Sequence, residues 1–469
     1  MAWKKSPASS TLTTAAMLAI GPDEPAAAIL AKAARVSPSR RQLAWQRLEL
    51  TAFLHFGINT FTDREWGDGR ESPALFNPSA LDARQWMRVL RSAGVRLVIL
   101  TAKHHDGFAL WPSRYTSHSV SASPWRGGRG DVVGEVVAAA RAEGLRFGVY
   151  LSPWDRHEPS YGDSPRYNEF FRTQLRELLT RYGRIDEVWF DGAKGEGVDQ
   201  HYDWESYYRL IRELQPQAAI AIMGPDVRWV GTESGIGRET EWSVVAAPAA
   251  DHRLAAAGLW RPEVDPQAPD LGGRGRLEGA RSLFWYPAEV DVSIRPGWFY
   301  HAAEDSRVKS VPELLDIYFN SVGRNATLLL NVPPDRRGLI AAPDSAALAQ
   351  LGGVLRATFA RDLAAGARRS AVSRDSSAVL TWTLAATAAF DVITLQERIE
   401  EGQRVERFEV DVWQEGGWRT VASGTTIGYK RLLRFPLVRS DRVRLRILAA
   451  RAEPRLGRMG LFRLATAGD

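Results

Sequence analysis

The sequence predicts an α/β protein, a (β/α)8-like TIM barrel followed by a C-terminal all-β sandwich, and three observations predict it. Short apolar runs of strand length alternate with amphipathic helical stretches from residue 40 to about residue 225, the pattern of βαβ units feeding a parallel sheet. Polar clusters follow those runs at their C-terminal ends, where a (β/α) barrel builds its functional rim. From Ala371 onward the pattern changes to short period-2 runs separated by turn signals such as Glu415-Gly416-Gly417, as in a sandwich.

Taken in order, residues 1–39 are rich in Ala, Ser and Pro with poor periodicity and read as a mobile leader. Strands are expected at 51–56, 97–101, 147–151, 187–191 and 219–223, with helices at 82–93, 132–143, 167–182 and 204–214 between them. Runs such as Leu97-Val98-Ile99-Leu100 are apolar throughout, as a parallel strand covered on both faces requires. Beyond residue 225 the alternation weakens into Gly/Pro-rich loops holding Trp229, Trp242, Trp260 and Trp285. It resumes with a helix at 311–322, a strand at 326–331 and a helix at 343–365. Sandwich strands are expected at 378–383, 390–396, 407–413, 432–436 and 443–449. The expected division is a leader at 1–39, a barrel at 40–366 and a sandwich at 367–469.

Composition narrows the function. The chain of 469 residues carries a formal charge of +6 spread along its length rather than in a block, so nucleic acid is not an expected partner. No apolar run approaches the roughly 18 residues needed to cross a bilayer, which predicts a soluble protein without membrane insertion. The absence of cysteine removes disulfides, thiolate metal sites and thiol nucleophiles. Lys4 and Lys5 precede a weakly apolar stretch, 13–20, shorter and more polar than a signal-peptide core. Tryptophan is abundant, with 17 residues, and many stand beside Gly, Pro or acidic residues, where an indole face suits stacking on a sugar.

Trp189-Phe190-Asp191-Gly192 ends an apolar strand in a carboxylate, followed by a glycine that lets the backbone turn and a substrate approach. An aspartate there also suits a helix N-cap. Its company decides: His55-Phe56-Gly57, Glu65-Trp66-Gly67, Lys103-His104-His105-Asp106-Gly107-Phe108, Ser152-Pro153-Trp154-Asp155 and Ile294-Arg295-Pro296-Gly297-Trp298. Together, over about residues 40–340, these motifs resemble glycoside hydrolase family 29, the α-L-fucosidases.

The resemblance implies that Asp191 is the nucleophile and that His55, His104, His105, Glu65 and Trp66 hold fucose. Trp111, Tyr150, Trp154, Trp189, Arg295 and Trp298 complete the expected substrate-binding set. A retaining glycosidase needs a second carboxyl group about 5–5.5 Å from the first. Glu233, in Trp229-Val230-Gly231-Thr232-Glu233-Ser234-Gly235, is the expected general acid/base, in a loop pocket that excludes water, and Glu289 is the second choice. The implied activity is exo-hydrolysis of a fucosylated oligosaccharide or glycoconjugate without a cofactor. The 152–156 and 224–229 segments and Gly195-Glu196-Gly197 resemble the subgroup that cleaves α-1,3- and α-1,4-linked fucose from Lewis-type glycans, with the aromatic loops of 226–300 as resting places for a second sugar. Family relatives are often exported, so a periplasmic or extracellular location is expected, with the cytoplasm as the alternative; oligomeric state is left open.

Three other readings compete. His104-His105-Asp106 suits a metal hydrolase, but neighbouring strand residues point to opposite faces, so no metal is expected. A fucose-binding protein without catalysis needs no pair of carboxyls with divergent protonation. A broad-specificity fucosidase shares the motifs without the linkage preference.

Overall fold

The computed structural model describes residues 15–247 and 250–466. Its centre is a parallel barrel of eight strands: β1 (Leu50–Leu54), β2 (Leu97–Lys103), β3 (Arg146–Leu151), β4 (Glu187–Phe190), β5 (Ala219–Ile222), β6 (Arg228–Trp229), β7 (Ala288–Ser293) and β8 (Thr327–Asn331). Ladders run in the spatial order β5-β4-β3-β2-β1-β8-β7-β6, and every pair is parallel. The barrel closes between β5 and β6 by packing, since Ala219, Ala221 and Val227 share one interior cluster with Phe53, Ile99 and Trp189. Barrel interiors of this kind are filled with side chains rather than hollow, so the rim is the place for a ligand.

The outer helices begin where the sequence supplies a cap. Asp82, Asp131, Asp163 and Asp203 each accept a hydrogen bond from a first-turn backbone N–H of Ala83–Ala93, Val132–Ala142, Ser164–Arg181 and Trp204–Leu214. Their apolar faces, such as Trp86, Met87 and Leu90, pack onto the barrel wall in one continuous core. Helices Val311–Ser321 and Ala342–Phe359 complete the outer layer.

Two regions depart from expectation. Part of the segment expected to be a mobile leader is folded: Met17–Ala19 forms a strand paired antiparallel with Ser282–Trp285, which also pairs with Val244–Ala247. Helix Ala26–Ala33 then buries Ile29 and Ala33, with Val36 just beyond its end, against Leu277, Leu283 and Trp285. A sparse apolar stripe in Ala-rich sequence conceals this packing. The rest of the leader, 1–14, lies outside the described residues. The second departure is β7, read from sequence as loop because its inward positions are the acids Glu289 and Asp291.

From Arg368 onward the chain is antiparallel β-structure with its own core of Phe408, Val410, Val412, Val443, Leu445 and Ile447. The expected runs 378–383 and 390–396 are halves of one strand, Ser377–Glu397, and 432–436 and 443–449 are halves of Arg431–Ala450. Register shifts at Thr383/Ala388 and Phe390/Val392 bend the pair, as bulges do. No helix among the described residues is long and apolar enough to cross a membrane.

Candidate active site

The C-terminal ends of the barrel strands surround a cavity of about 310 Å³. Asp191 follows β4 directly and is held from two sides: the Tyr150 hydroxyl donates to Oδ2 at 2.9 Å, and the Ala193 backbone N–H donates to Oδ1 at 2.8 Å. Burial, and next the Asp191 charge, push the Tyr150 phenol far up, so it stays a donor. Trp189 stacks on Tyr150 with ring centroids 5.2 Å apart and forms part of the cavity wall.

Three imidazoles face the same space. Asn331 donates its Nδ2 hydrogens to Ser293 Oγ and the Trp298 carbonyl, which turns its Oδ1 toward His55 Nδ1 at 2.8 Å. His55 therefore carries its proton on Nδ1 and presents Nε2 as an acceptor. Burial holds His55 down to about 3 and drives His104 well below the usual imidazole range. His105 is lowered by burial too, against the opposing charge of Asp191. Its Nδ1 lies 2.7 Å from Ser152 Oγ, whose own proton goes to the Trp154 carbonyl, so Nδ1 is the donor. The site thus offers neutral rings that exchange hydrogen bonds with hydroxyl groups.

The expected alternation of His104 and His105 across a strand is overturned. β2 ends at Lys103, the backbone turns through Gly107 at φ +79°, and both rings enter the cavity with centroids 4.1 Å apart. Beneath that turn Lys103 is fully buried and pairs with Asp155 at 2.7 Å, tying the β2 and β3 loops together.

Glu65, on the loop after β1, accepts from the backbone N–H groups of Trp298 and Phe299 at 2.8 and 3.1 Å and contacts His301 Nε2 at 2.7 Å. Partial burial opposes a charge on His301, yet hydrogen bonds to Asp63 and Glu65 raise it above the usual imidazole range. Trp66 stands at the rim, 55% exposed, edge-on to both His105 and Trp154.

Glu233, on the loop after β6, lines the cavity, and Trp298 Nε1 donates to its Oε2 at 3.1 Å. Its surroundings differ from the expected water-excluding pocket, for the side chain is exposed. Glu289 is fully buried below the cavity, accepts from Trp189 Nε1 at 2.6 Å and shares its interior position with Glu187, so it does not reach the cavity.

Three expected sugar contacts lie outside this cavity. Trp111 is buried in the outer core with its Nε1 on Glu177. Arg295 is buried against Asp344 at 2.5 and 2.9 Å and Asp305 at 2.8 Å, an ion pair formed across 49 residues that no local motif announces. Trp154 lines an adjoining cleft of about 760 Å³ rather than the cavity, and Trp66 borders both. Sequence reasoning missed Phe53 and Asp291 in the wall, and Asn331 and His301 behind it. The alternation in Glu289-Val290-Asp291-Val292 was the available signal for Asp291.

The family model for alpha-L-fucosidase matches residues 40–238 and 274–358. Alpha-L-fucosidase 1 of Arabidopsis thaliana is 43% identical over 457 residues, covering 91% of this chain and 87% of the relative. A crystal structure from Bacteroides ovatus, provisionally described as an alpha-L-fucosidase, superposes with a TM-score of 0.90 at 51% identity, over 97% of this chain and 78% of that one. A Ruminococcus gnavus glycoside hydrolase family 29 fucosidase solved with fucose gives a TM-score of 0.81 at 31% identity, over 92% and 96%. The family match spans more than half of the chain, and the likeness to the Arabidopsis enzyme continues over nearly all of it. The chain belongs to glycoside hydrolase family 29 and is an α-L-fucosidase.

Proposed function

We propose that this α-L-fucosidase is a retaining exo-enzyme that removes α-1,3- or α-1,4-linked fucose from branched, Lewis-type glycans, with Asp191 as nucleophile and Glu233 as general acid/base. The observation that carries the reading is that a carboxylate fixed by two donors and an exposed carboxyl on a separate loop border one cavity lined with neutral imidazoles. Asp191 attacks C1 of fucose as the C1–O bond to the leaving sugar breaks, and Glu233 gives its proton to the departing oxygen. The ionised Glu233 then takes a proton from a water that attacks C1 from the side the leaving group left. The fucosyl–Asp191 ester breaks, and fucose leaves with its configuration retained.

His55 and His105, with Nε2 free to accept, and Glu65 suit sugar hydroxyls, while Phe53 and Trp298 supply an apolar wall for the methyl group. A bound sugar would cover the exposed Glu233 and remove water from it. The adjoining cleft of about 760 Å³, with Trp66, Trp154 and Tyr161 in its walls, has room for further sugars of a branched glycan. On this reading the second sugar rests on the side of the β1, β3 and β4 loops, whereas the sequence alone pointed to the 226–300 loops.

The test is fucose release from a Lewis-type trisaccharide, an aryl α-L-fucoside and a linear α-1,2-fucosylated glycan. Preferential release from the trisaccharide is expected. Comparable rates on all three would identify a broad-specificity enzyme, and preference for the α-1,2 substrate would remove the linkage assignment.

A further inference from the structure

Asp291 has no part in the mechanism above, yet it occupies the cavity wall beside Glu233. It sits on the inward face of β7, one inward position beyond Glu289, and is 4% exposed. An apolar residue would be the ordinary occupant, since the inward neighbours include Leu329, in register on β8. Burial first, then the charges of Glu289 and Glu233, push its carboxyl well above the usual aspartate range. A buried carboxyl retained at that expense needs a partner, and it has one: Trp229 Nε1 donates to Oδ1 at 2.8 Å.

Trp229 ends β6 and begins the loop that carries Glu233 four residues later. β6 has two residues, so the ladder holds it weakly, through Arg228 N–H to the Pro287 carbonyl at 3.0 Å and Val230 N–H to the Glu289 carbonyl at 2.9 Å. The loop then turns at Gly231 (φ +101°) and packs down again at Gly235 (φ +78°), where an added Cβ would press on Ile317 and Val292 at 3.1 Å. Glu233 lies between these anchors, and its own carboxyl has the 3.1 Å contact to Trp298 Nε1.

The geometry points to Asp291 as a positioning residue: by accepting the Trp229 indole N–H it fixes the root of the 229–235 loop, and through that loop the place of the Glu233 carboxyl over the glycosidic oxygen. This rests on the reading of Glu233 as general acid/base. It requires that loss of the Asp291–Trp229 bond weaken protonation of the leaving group without disturbing the fucose pocket.

The experiment measures kcat/KM and KM for Asp291→Ala, Asp291→Asn, Trp229→Phe and Glu233→Ala. One substrate is a fucosylated glycan, whose leaving oxygen needs a proton; the other is an activated aryl α-L-fucoside, whose phenolate leaves without one. Asp291→Ala should lower kcat/KM on the glycan by about 10–100-fold more than on the aryl substrate, part of the full general-acid contribution. Asp291→Asn keeps an oxygen acceptor and should restore most of the glycan activity. Trp229→Phe removes the donor from the other side and should reproduce the selective loss even if Asp291→Ala fails to fold. Equal loss on both substrates, or no loss on the glycan in either Asp291→Ala or Trp229→Phe, would overturn the inference. An unselective Glu233→Ala would instead overturn the acid/base reading beneath it.

Discussion

Replacing Asp191 with Ala removes the one carboxylate that Tyr150 and the Ala193 backbone hold in place. Turnover should fall by about 10³-fold or more, as expected for loss of the proposed nucleophile, while a thermal melt stays close to that of the parent because Asp191 is not a core residue. Tyr150→Phe keeps the ring stacked on Trp189 and removes one of the two donors. It should lower kcat by about tenfold, the size of one lost hydrogen bond to a charged group, read from initial rates at saturating substrate. At this scale the sequence was informative wherever a residue's place followed from its own strand. Asp191 ends an apolar run, and His55 does the same on β1. It was uninformative where the partner is distant: Arg295 resembles a sugar-binding arginine until Asp344 and Asp305 are seen beside it. Glu233 was ranked above Glu289 from its loop segment alone, and the inward parity of β7 is what buries Glu289 away from the cavity.

Among elements, β1 to β5 were legible because they are largely apolar on both faces, with Glu187 an exception at the start of β4, and the four Asp-capped helices because the cap and the apolar stripe agree. β6 was too short to register, and β7 breaks the hydrophobic pattern with the inward carboxyls Glu289 and Asp291, of which only Asp291 lines the cavity. The loops after β2 and β3 depend on a contact that sequence cannot supply, the buried Lys103–Asp155 pair, with Gln174 as a second acceptor for the ammonium at 2.9 Å. Asp155 Oδ1 in turn accepts from the backbone N–H groups of His157 and Glu158. Lys103→Met should destabilise the protein by about 3–5 kcal/mol, since it strands a buried carboxylate. Urea denaturation checks this, and a change below about 1 kcal/mol would mean that water or another cation reaches Asp155.

Across the whole molecule the sandwich touches the barrel near the proposed acid/base loop. Gln403 and Asn325 donate to the Glu241 carbonyl at 3.0 Å, the Glu241 N–H donates to Thr426, and the Glu241 carboxylate pairs with Arg228 of β6. Gln403→Ala should cost about 1–3 kcal/mol, since the buried Ser243 N–H loses the Gln403 Oε1 acceptor it reaches at 2.8 Å, measured by chemical denaturation. A second global property follows from the barrel interior. Burial pushes Glu187 up to about 8, and burial followed by the charge of Glu187 raises Glu289 well above the usual range. Unfolded glutamate ionises near about 4.3, so between there and about pH 8 the folded state binds more protons than the unfolded one, and stability falls as pH rises. Glu289→Gln should flatten that fall between pH 5 and pH 8 in a thermal melt; an unchanged slope would place the pH dependence elsewhere. The alternation that announced the barrel and the period change near residue 371 were visible in sequence, whereas this interface, which joins Glu241 to Thr426 across 185 residues, was not.

The most direct measurement is to incubate the enzyme with a 2-deoxy-2-fluoro-fucosyl fluoride, whose fluorine slows breakdown of a glycosyl ester, and to map the added mass by peptide mass spectrometry. One 2-fluorofucosyl group on Asp191, absent in Asp191→Ala, is the predicted result. An adduct on another carboxyl, or steady turnover with an inverted anomer as the first product, would contradict it.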